Sequence, residues 1–155
     1  MAGQVERRMA ELKIELPNPG TPMANYIPAV RVGDLLFLSG QVCSWNGERR
    51  FVGKLGAEIS LEQGKQAARI CALNLLAQAK RFLDGDLDRI ARIVRLGGFV
   101  NAAPGFTEQP QVVNGASDLM VEVLGEMGRH ARTAVGVGSL PGGAAVEVDA
   151  ILELR

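Results

Sequence analysis

The last ten residues of the chain alternate between two chemical classes in a way that one local structure explains. Apolar residues occupy every second position: Val146, Val148, Ala150, Leu152 and Leu154. The positions between them are charged except for Ile151: Glu147, Asp149, Ile151, Glu153 and Arg155. Successive side chains of a β-strand point to opposite faces, so the pattern predicts a strand with one buried face. Such a strand has to belong to a sheet that another layer covers on that side.

Each of the two strands predicted near the C-terminus carries a charged residue. Arg132 lies in the segment Arg132–Val135, and Glu147 lies in the terminal strand after the linker Leu140–Gly143. A guanidinium and a carboxylate on neighbouring strands that meet in a cleft would form a carboxylate receptor beside a proton acceptor. A structural ion pair or two solvated side chains would explain the same residues, because charges on strands usually face solvent.

Composition narrows the classes of protein to which the chain can belong. Its 155 residues, 47% hydrophobic and 22% charged, predict one soluble globular domain. The 17 basic and 17 acidic residues cancel, which argues against a nucleic-acid partner or an anionic membrane surface. No apolar run approaches the roughly 18 residues of a membrane span, and the first residues lack the apolar core of a signal peptide, so we expect a cytoplasmic protein. Cys43 and Cys71 form no CxxC pair, so neither a disulfide framework nor a zinc site is predicted.

The N-terminal part of the chain predicts an appendage to the main domain. A short helix over Val5–Leu12 is followed by the Pro/Gly-rich stretch Pro17–Pro22, which cannot continue it. We therefore divide the chain into an extension, residues 1–23, and a main domain, residues 24–155.

The main domain opens with a predicted β-hairpin. The apolar runs Ile27–Val32 and Leu35–Gln41 are separated by Gly33 and Asp34, and a two-residue connection with glycine first suits a tight hairpin turn. A further short strand is predicted over Phe51–Lys54.

Two helices alternate with the remaining strands. Ser60 and Gln63 form a capping box that predicts the start of a helix running to about Leu83. A strand over Arg89–Asn101 contains Gly97-Gly98, typical of a bulge or of a close approach by another backbone, and the second helix, Val112–Met127, ends at Gly128. The order predicts a layered α/β domain with helices on one face of the sheet. Its apolar strands exceed what two helices can cover, which favours an oligomer.

Four segments in one order carry a family resemblance. Residues 25–30 read NYIPAV, residues 33–41 read GDLLFLSGQ, residues 131–135 read ARTAV, and residues 140–150 read LPGGAAVEVDA. Together they resemble the reactive-intermediate deaminases, the RidA or YjgF family, which is also labelled endoribonuclease L-PSP. The resemblance spans about residues 24–155.

The resemblance implies a fold and an assembly. The fold is chorismate mutase-like, an α+β domain whose mixed sheet carries two helices on one face. Members of the family are usually homotrimers with a β-barrel-like core and three clefts between subunits.

The resemblance also implies an activity and the residues that perform it. Arg132 inherits the arginine that binds the carboxylate of a 2-imino acid, Glu147 the glutamate that handles water or protons, and Tyr26 the tyrosine that closes the pocket. Ser39 and Asn114 fall on substrate-binding positions. The implied reaction converts reactive 2-imino and 2-enamino acids to 2-keto acids and ammonium, with no cofactor or metal.

Three departures indicate a diverged subgroup. Ala134 stands where many members have a cysteine, His130-Ala131 replaces the proline-containing start of the arginine motif, and residues 102–108 replace an aromatic-rich region. Because of these changes, the resemblance determines the substrate less closely than it determines the fold.

Several alternatives remain open from the sequence. A non-catalytic trimer that binds small carboxylic acids would use Arg132 equally well, whereas a ribonuclease would need a paired acid and base or a basic track, which the chain lacks. His130, the one histidine, is interpreted as an exposed residue near a helix end. Asp149 is interpreted as a salt-bridge partner in preference to a second site carboxylate.

Overall fold

A computed structural model describes residues 2–22 and 24–155. The α-helices are α1 (Gln4–Glu11), α2 (Leu61–Phe82) and α3 (Gln109–Leu124), and short 3-10 helices lie at Leu87–Arg89, Gly125–Gly128 and Pro141–Gly143. The strands are β1 (Ala29–Val32), β2 (Leu35–Val42), β3 (Ser44–Trp45), β4 (Glu48–Arg49), β5 (Ile90–Asn101), β6 (Ala131–Val137) and β7 (Val146–Leu154). None of the described helices combines the length and the apolarity that crossing a bilayer requires.

Five strands form one mixed sheet in the order β1-β2-β7-β5-β6, while β3 and β4 pair separately. Neighbours in the large sheet are antiparallel except β5 and β6, which are parallel. Helix α2 packs on β2 and β7, helix α3 packs on β5 and β6, and the two helices pack on each other. The predicted α+β fold, a mixed sheet with two helices on one face, is confirmed.

The terminal strand β7 has the predicted two-faced character. Val146, Val148, Ala150, Leu152 and Leu154 are all buried beneath the helices, and the residues between them are half-buried on the other face, which we call the open face. The expectation that the two charged strands are neighbours is wrong, because β5 lies between β6 and β7. Helix α3 carries the chain back to the end of the sheet where β5 began, and β6 therefore pairs beside β5 in parallel.

The predicted hairpin turn and the predicted start of the first long helix are both present in the structure. Gly33 has φ +59°, and Val32 pairs directly with Leu35 across the two-residue hairpin turn. At the start of α2, Gln63 N donates to Ser60 Oγ at 3.2 Å, and Ser60 N donates to Gln63 Oε1 at 2.9 Å, so the capping box is confirmed.

The prediction of a short strand over Phe51–Lys54 is wrong. Val52 forms only an isolated bridge with Ala144, and Gly53 has φ +135°, which no extended strand residue adopts. The short strands lie instead on either side of the turn at Asn46 and Gly47.

The two glycines inside β5 make room for side chains and do not mark a bulge. The irregularities of β5 lie earlier, between Ile90 and Arg95. A side chain at Gly97 would overlap the Asp149 carboxylate, and one at Gly98 would lie 2.6 Å from Val113 Cγ2 of α3. The approaching groups are side chains, so the predicted close approach of another backbone is also wrong.

Helix α1 packs on the domain through apolar residues and is capped by an aspartate of the domain. Met9 is 5% exposed and belongs to the same buried cluster as the sheet. The Asp88 carboxylate accepts from Gln4 N at 2.7 Å and from Val5 N at 2.9 Å, which satisfies two free N–H groups at the helix start.

Candidate functional site

Glu147 lies near the start of β7, on the open face of the sheet. Its register partners are Val42 on β2 and Phe99 on β5. A bulge in β2 between Leu38 and Gln41 places Gly40 beneath the Glu147 side chain, where any Cβ would overlap the carboxylate. The glycine of the SGQ segment therefore provides the space that this carboxyl group occupies.

A hollow of about 370 Å³ surrounds this carboxyl group, and we call it the Glu147 hollow. It lies beside the part of β2 that β1 does not cover, since their register ends where Ala29 meets Leu38. Tyr26, 54% exposed, lines the hollow together with Arg49. The Pro/Gly-rich extension contributes residues 20–22 to the wall.

The carboxyl group of Glu147 is more basic than an ordinary glutamate. Burial raises its pKa above the ordinary value of 4.5, and the negative charge of Asp149 raises it further. Asp149 pairs with Arg95, whose Nη1 lies 3.7 Å from Asp149 Oδ1, so the salt-bridge interpretation of Asp149 is confirmed. A carboxylate of raised pKa beside a hollow is better suited to accept a proton than an ordinary glutamate.

Ser39 holds the segment that carries Tyr26. The Ser39 hydroxyl donates to Ile27 O at 2.9 Å, and Ser39 N donates to Pro28 O at 2.9 Å. The hydroxyl proton is thus engaged with the backbone, and Ser39 is placed to position the wall of the Glu147 hollow.

Three amide side chains, none of which was a predicted site residue, line the Glu147 hollow. Gln78 Nε2 donates to Gly20 O at 3.2 Å and to Gln41 Oε1 at 3.4 Å, and Asn74 Nδ2 donates to Ser44 O at 2.6 Å. Asn74 and Gln78 are 4% and 3% exposed. Their signal in the sequence was two polar residues four positions apart on the buried face of α2, a placement that requires partners.

Arg132 lies on the edge strand β6 and points away from the open face. Its register partner Leu96 is fully buried beneath the helices, and the Arg132 guanidinium reaches α3. Nη1 donates to Asn114 Oδ1 at 2.8 Å and to Ser117 Oγ at 3.1 Å, and Nη2 donates to Pro110 O at 3.3 Å. Within the described residues these bonds engage three of the five guanidinium N–H groups and leave two for a ligand.

A second hollow, of about 280 Å³, lies beside this guanidinium, and we call it the Arg132 hollow. Ser117 and His130 line it with Arg132. The guanidinium is therefore half-buried, held by α3 and adjacent to a cavity, which suits it to bind a carboxylate.

The chain brings its expected site residues together in two groups. Arg132 and Asn114 share a hydrogen bond, and Glu147 and Tyr26 share a hollow that Ser39 helps to shape. The two groups lie on opposite faces of the sheet, and β5 separates their strands. One copy of the chain therefore does not place Arg132 beside Glu147.

His130 is not the exposed residue that was expected. It is half-buried, with Nε2 2.8 Å from Ser117 Oγ and Nδ1 2.6 Å from Gly128 O. Burial lowers the pKa of His130 below its ordinary value of 6.5, and the positive charge of Arg132 contributes in the same direction. Ser117 was missed, although it lies three positions after Asn114 and hence on the same face of α3.

Both cysteines are free and buried. Cys43 Sγ donates to Phe51 O and Cys71 Sγ donates to Val146 O, each at 3.4 Å. Burial raises the pKa of the Cys71 thiol. Across residues 2–22 and 24–155, no three His, Cys, Asp or Glu side chains lie close enough together to hold a metal ion.

Comparisons with known proteins place the chain in a family. The model of the YjgF/chorismate mutase-like endoribonuclease family matches residues 6–152. Protein TCP17 of Trypanosoma cruzi is 49% identical over 99% of this chain and 96% of its own. The crystal structure of Atu1372 from Agrobacterium tumefaciens is 46% identical, with a TM-score of 0.91 over 97% of this chain and 92% of that one. RidA from an Antarctic Psychrobacter is 23% identical, covers 90% of this chain and 97% of its own, and shares the fold with a TM-score of 0.61. The protein is a member of the YjgF/chorismate mutase-like family.

Proposed function

We propose that the protein is a cytoplasmic, cofactor-independent enzyme that hydrolyses reactive 2-imino and 2-enamino acids to 2-keto acids and ammonium. The observation that carries the proposal is the Arg132 guanidinium, held by Asn114 and Ser117 beside a hollow with two N–H groups left for a ligand. Glu147, with its raised pKa, supplies the proton acceptor that hydrolysis requires.

The active unit that we propose is a homotrimer in which Arg132 of one subunit meets Glu147 of the next. The separation of the two groups within one chain favours a site shared between copies. Apolar side chains on the open face support the assembly, since Val30, Val32 and Phe37 are 45%, 62% and 41% exposed. The register pairs Val30 with Phe37 and Phe37 with Ile151, so these residues form one apolar surface. An apolar surface of this kind marks an interface between proteins.

The proposed reaction adds water across the C=N bond of the imine. Arg132 fixes the substrate carboxylate, and an arginine suits this role because its planar fork binds a carboxylate with two hydrogen bonds and forms no adduct with a carbonyl. Glu147 accepts a proton from water as the oxygen attacks the imine carbon and passes it to the nitrogen, which gives a neutral carbinolamine. Glu147 then moves the hydroxyl proton of the carbinolamine to the nitrogen, the C=O bond forms as the C–N bond breaks, and the products are a 2-keto acid and ammonia, which is protonated in solution.

The test uses imines made in situ by an amino-acid oxidase or a threonine dehydratase. We expect the protein to accelerate the release of ammonium and 2-keto acid, and light scattering at micromolar concentration to report a trimer. Pyruvate binding without acceleration for several imines would favour the alternative, a non-catalytic trimer that binds small carboxylic acids. A monomer in solution would remove the shared site on which the mechanism depends.

A further inference from the structure

Arg132 shares one of its supports with the histidine of the chain. Ser117 Oγ accepts a hydrogen bond from Arg132 Nη1 at 3.1 Å and lies 2.8 Å from His130 Nε2. His130 Nδ1 lies 2.6 Å from Gly128 O. Arginine, serine and histidine therefore form one connected network along the wall of the Arg132 hollow.

The partners determine which nitrogen of His130 carries the proton. A carbonyl oxygen only accepts, so His130 Nδ1 has to donate to Gly128 O. In the neutral imidazole Nε2 is then the acceptor, and it takes the hydroxyl hydrogen of Ser117. Ser117 consequently has no hydrogen to offer a ligand while His130 is neutral.

Protonation of His130 reverses the direction of one hydrogen bond. Nε2 then becomes a donor to Ser117 Oγ, which has two lone pairs and accepts from both His130 and Arg132. The Ser117 hydroxyl hydrogen is released and can point into the Arg132 hollow. A bound anion would gain a third donor there, and it would also gain the positive charge of the imidazolium.

We propose that Ser117 and His130 are further members of the carboxylate site at Arg132, and that protonation of His130 strengthens the binding of a small 2-keto or 2-imino acid. Both are positioning residues for the guanidinium, and Ser117 becomes a direct donor to the anion in the acidic form. The inference rests on the proposed role of Arg132 as a carboxylate receptor, and it does not depend on catalysis.

Other charged groups surround His130 and have to be distinguished from it. Asp118 and Arg129 line the Arg132 hollow, and Arg92 and Glu153 line an adjacent hollow that His130 also borders. Histidine is the side chain whose ordinary titration falls between about pH 5 and 8. Burial lowers the pKa of His130, so the neutral form prevails at neutral pH and the change in affinity falls on the acidic side.

The experiment uses pyruvate as the probe and the intact protein. The chain has one histidine, so its imidazole NMR signals need no further assignment. The pKa of His130 is measured without and with saturating pyruvate, and pyruvate affinity is measured by calorimetry between about pH 5 and 8. We expect pyruvate to raise the pKa and affinity to rise as the pH falls. Thermodynamic linkage requires the pKa rise and the gain in affinity to agree, because a rise of one pKa unit corresponds to about tenfold tighter binding of pyruvate to the protonated form.

Three variants isolate the network. His130→Gln keeps an acceptor for the Ser117 hydroxyl but does not titrate. At every pH its pyruvate affinity should therefore equal the affinity that the wild type shows at high pH. Ser117→Ala, a change at a half-buried position, should reduce the pKa rise that pyruvate causes. Asp118→Asn is the control for the neighbouring carboxylate and should keep the full pH dependence.

Three results would overturn the inference. They are a His130 pKa that saturating pyruvate leaves unchanged, full pH dependence in His130→Gln, and the absence of pyruvate binding. Absence of imine hydrolysis together with an intact pKa rise would overturn the proposed enzyme and support the network described here.

Discussion

Gly115 allows α2 and α3 to approach each other at the point where α3 supports Arg132. An added Cβ at Gly115 would overlap the Lys65 carbonyl oxygen of α2 and lie 2.8 Å from its carbonyl carbon. Asn114 and Ser117, both bonded to Arg132, lie on either side of this contact along α3. Gly115→Ala should therefore disturb the fold and the Arg132 hollow together.

The size of the effect follows from what the new methyl group would meet. Ordinary contact begins at 3.4 Å, so the 2.8 Å contact with the carbonyl carbon alone requires a displacement of 0.6 Å, and the atoms that must move are backbone. Overpacking costs about 1–3 kcal/mol, and a backbone obstacle belongs at the upper end of that range. Alanine recovers about 1 kcal/mol through its higher helix propensity. We expect a net loss of about 2 kcal/mol in the free energy of unfolding.

Urea denaturation at one fixed protein concentration measures this loss. Gly64→Ala is the matched control, because it makes the same change in α2 and meets side-chain atoms of Leu55 and Val112 that can move. Its loss should be smaller. Pyruvate affinity should fall in Gly115→Ala, since the shift of α3 displaces the donors that hold Arg132. A Gly115→Ala variant as stable as the wild type would refute the close-contact reasoning.

Three further outcomes test the proposed division of roles. Arg132→Lys should weaken pyruvate binding by about 1.5–3 kcal/mol in calorimetry because the planar fork is lost. Arg7→Lys, at an exposed arginine of α1 outside the Arg132 hollow, is the control and should bind pyruvate as the wild type does. Glu147→Gln should lower imine turnover by about 100-fold and leave pyruvate affinity nearly unchanged, and unaltered hydrolysis would remove Glu147 from the mechanism. Because the pKa of Glu147 is raised in the folded state, this group contributes stability below its ordinary pKa of 4.5, and that stability is lost as the pH rises through the folded pKa. Glutamine does not titrate, so Glu147→Gln should gain stability relative to the wild type as the pH rises. Urea titrations measure the difference, and Glu153→Gln is the control.

The parts of the fold that were predictable depend on neighbours in the chain. The alternation of Val146–Leu154, the capping box of Ser60 and Gln63, and the hairpin turn at Gly33 each follow from contacts within a few residues. Strand order does not follow from local contacts, because the position of β5 between β6 and β7 depends on how α3 returns the chain across the sheet. The hypothesis that Arg132 and Glu147 lie on adjacent strands of one chain is wrong for that reason.

The sequence by itself determined the family, the α+β class and the identity of the polar side chains that stand out from apolar strands. These properties are encoded in residue order and in short-range periodicity. Only the tertiary structure decided which way each side chain points and what it touches. It turned Arg132 toward α3 and Glu147 toward the open face, and it connected His130 to Arg132 through Ser117. Such contacts join residues distant in the chain, and their energies depend on burial and distance, which no local pattern contains.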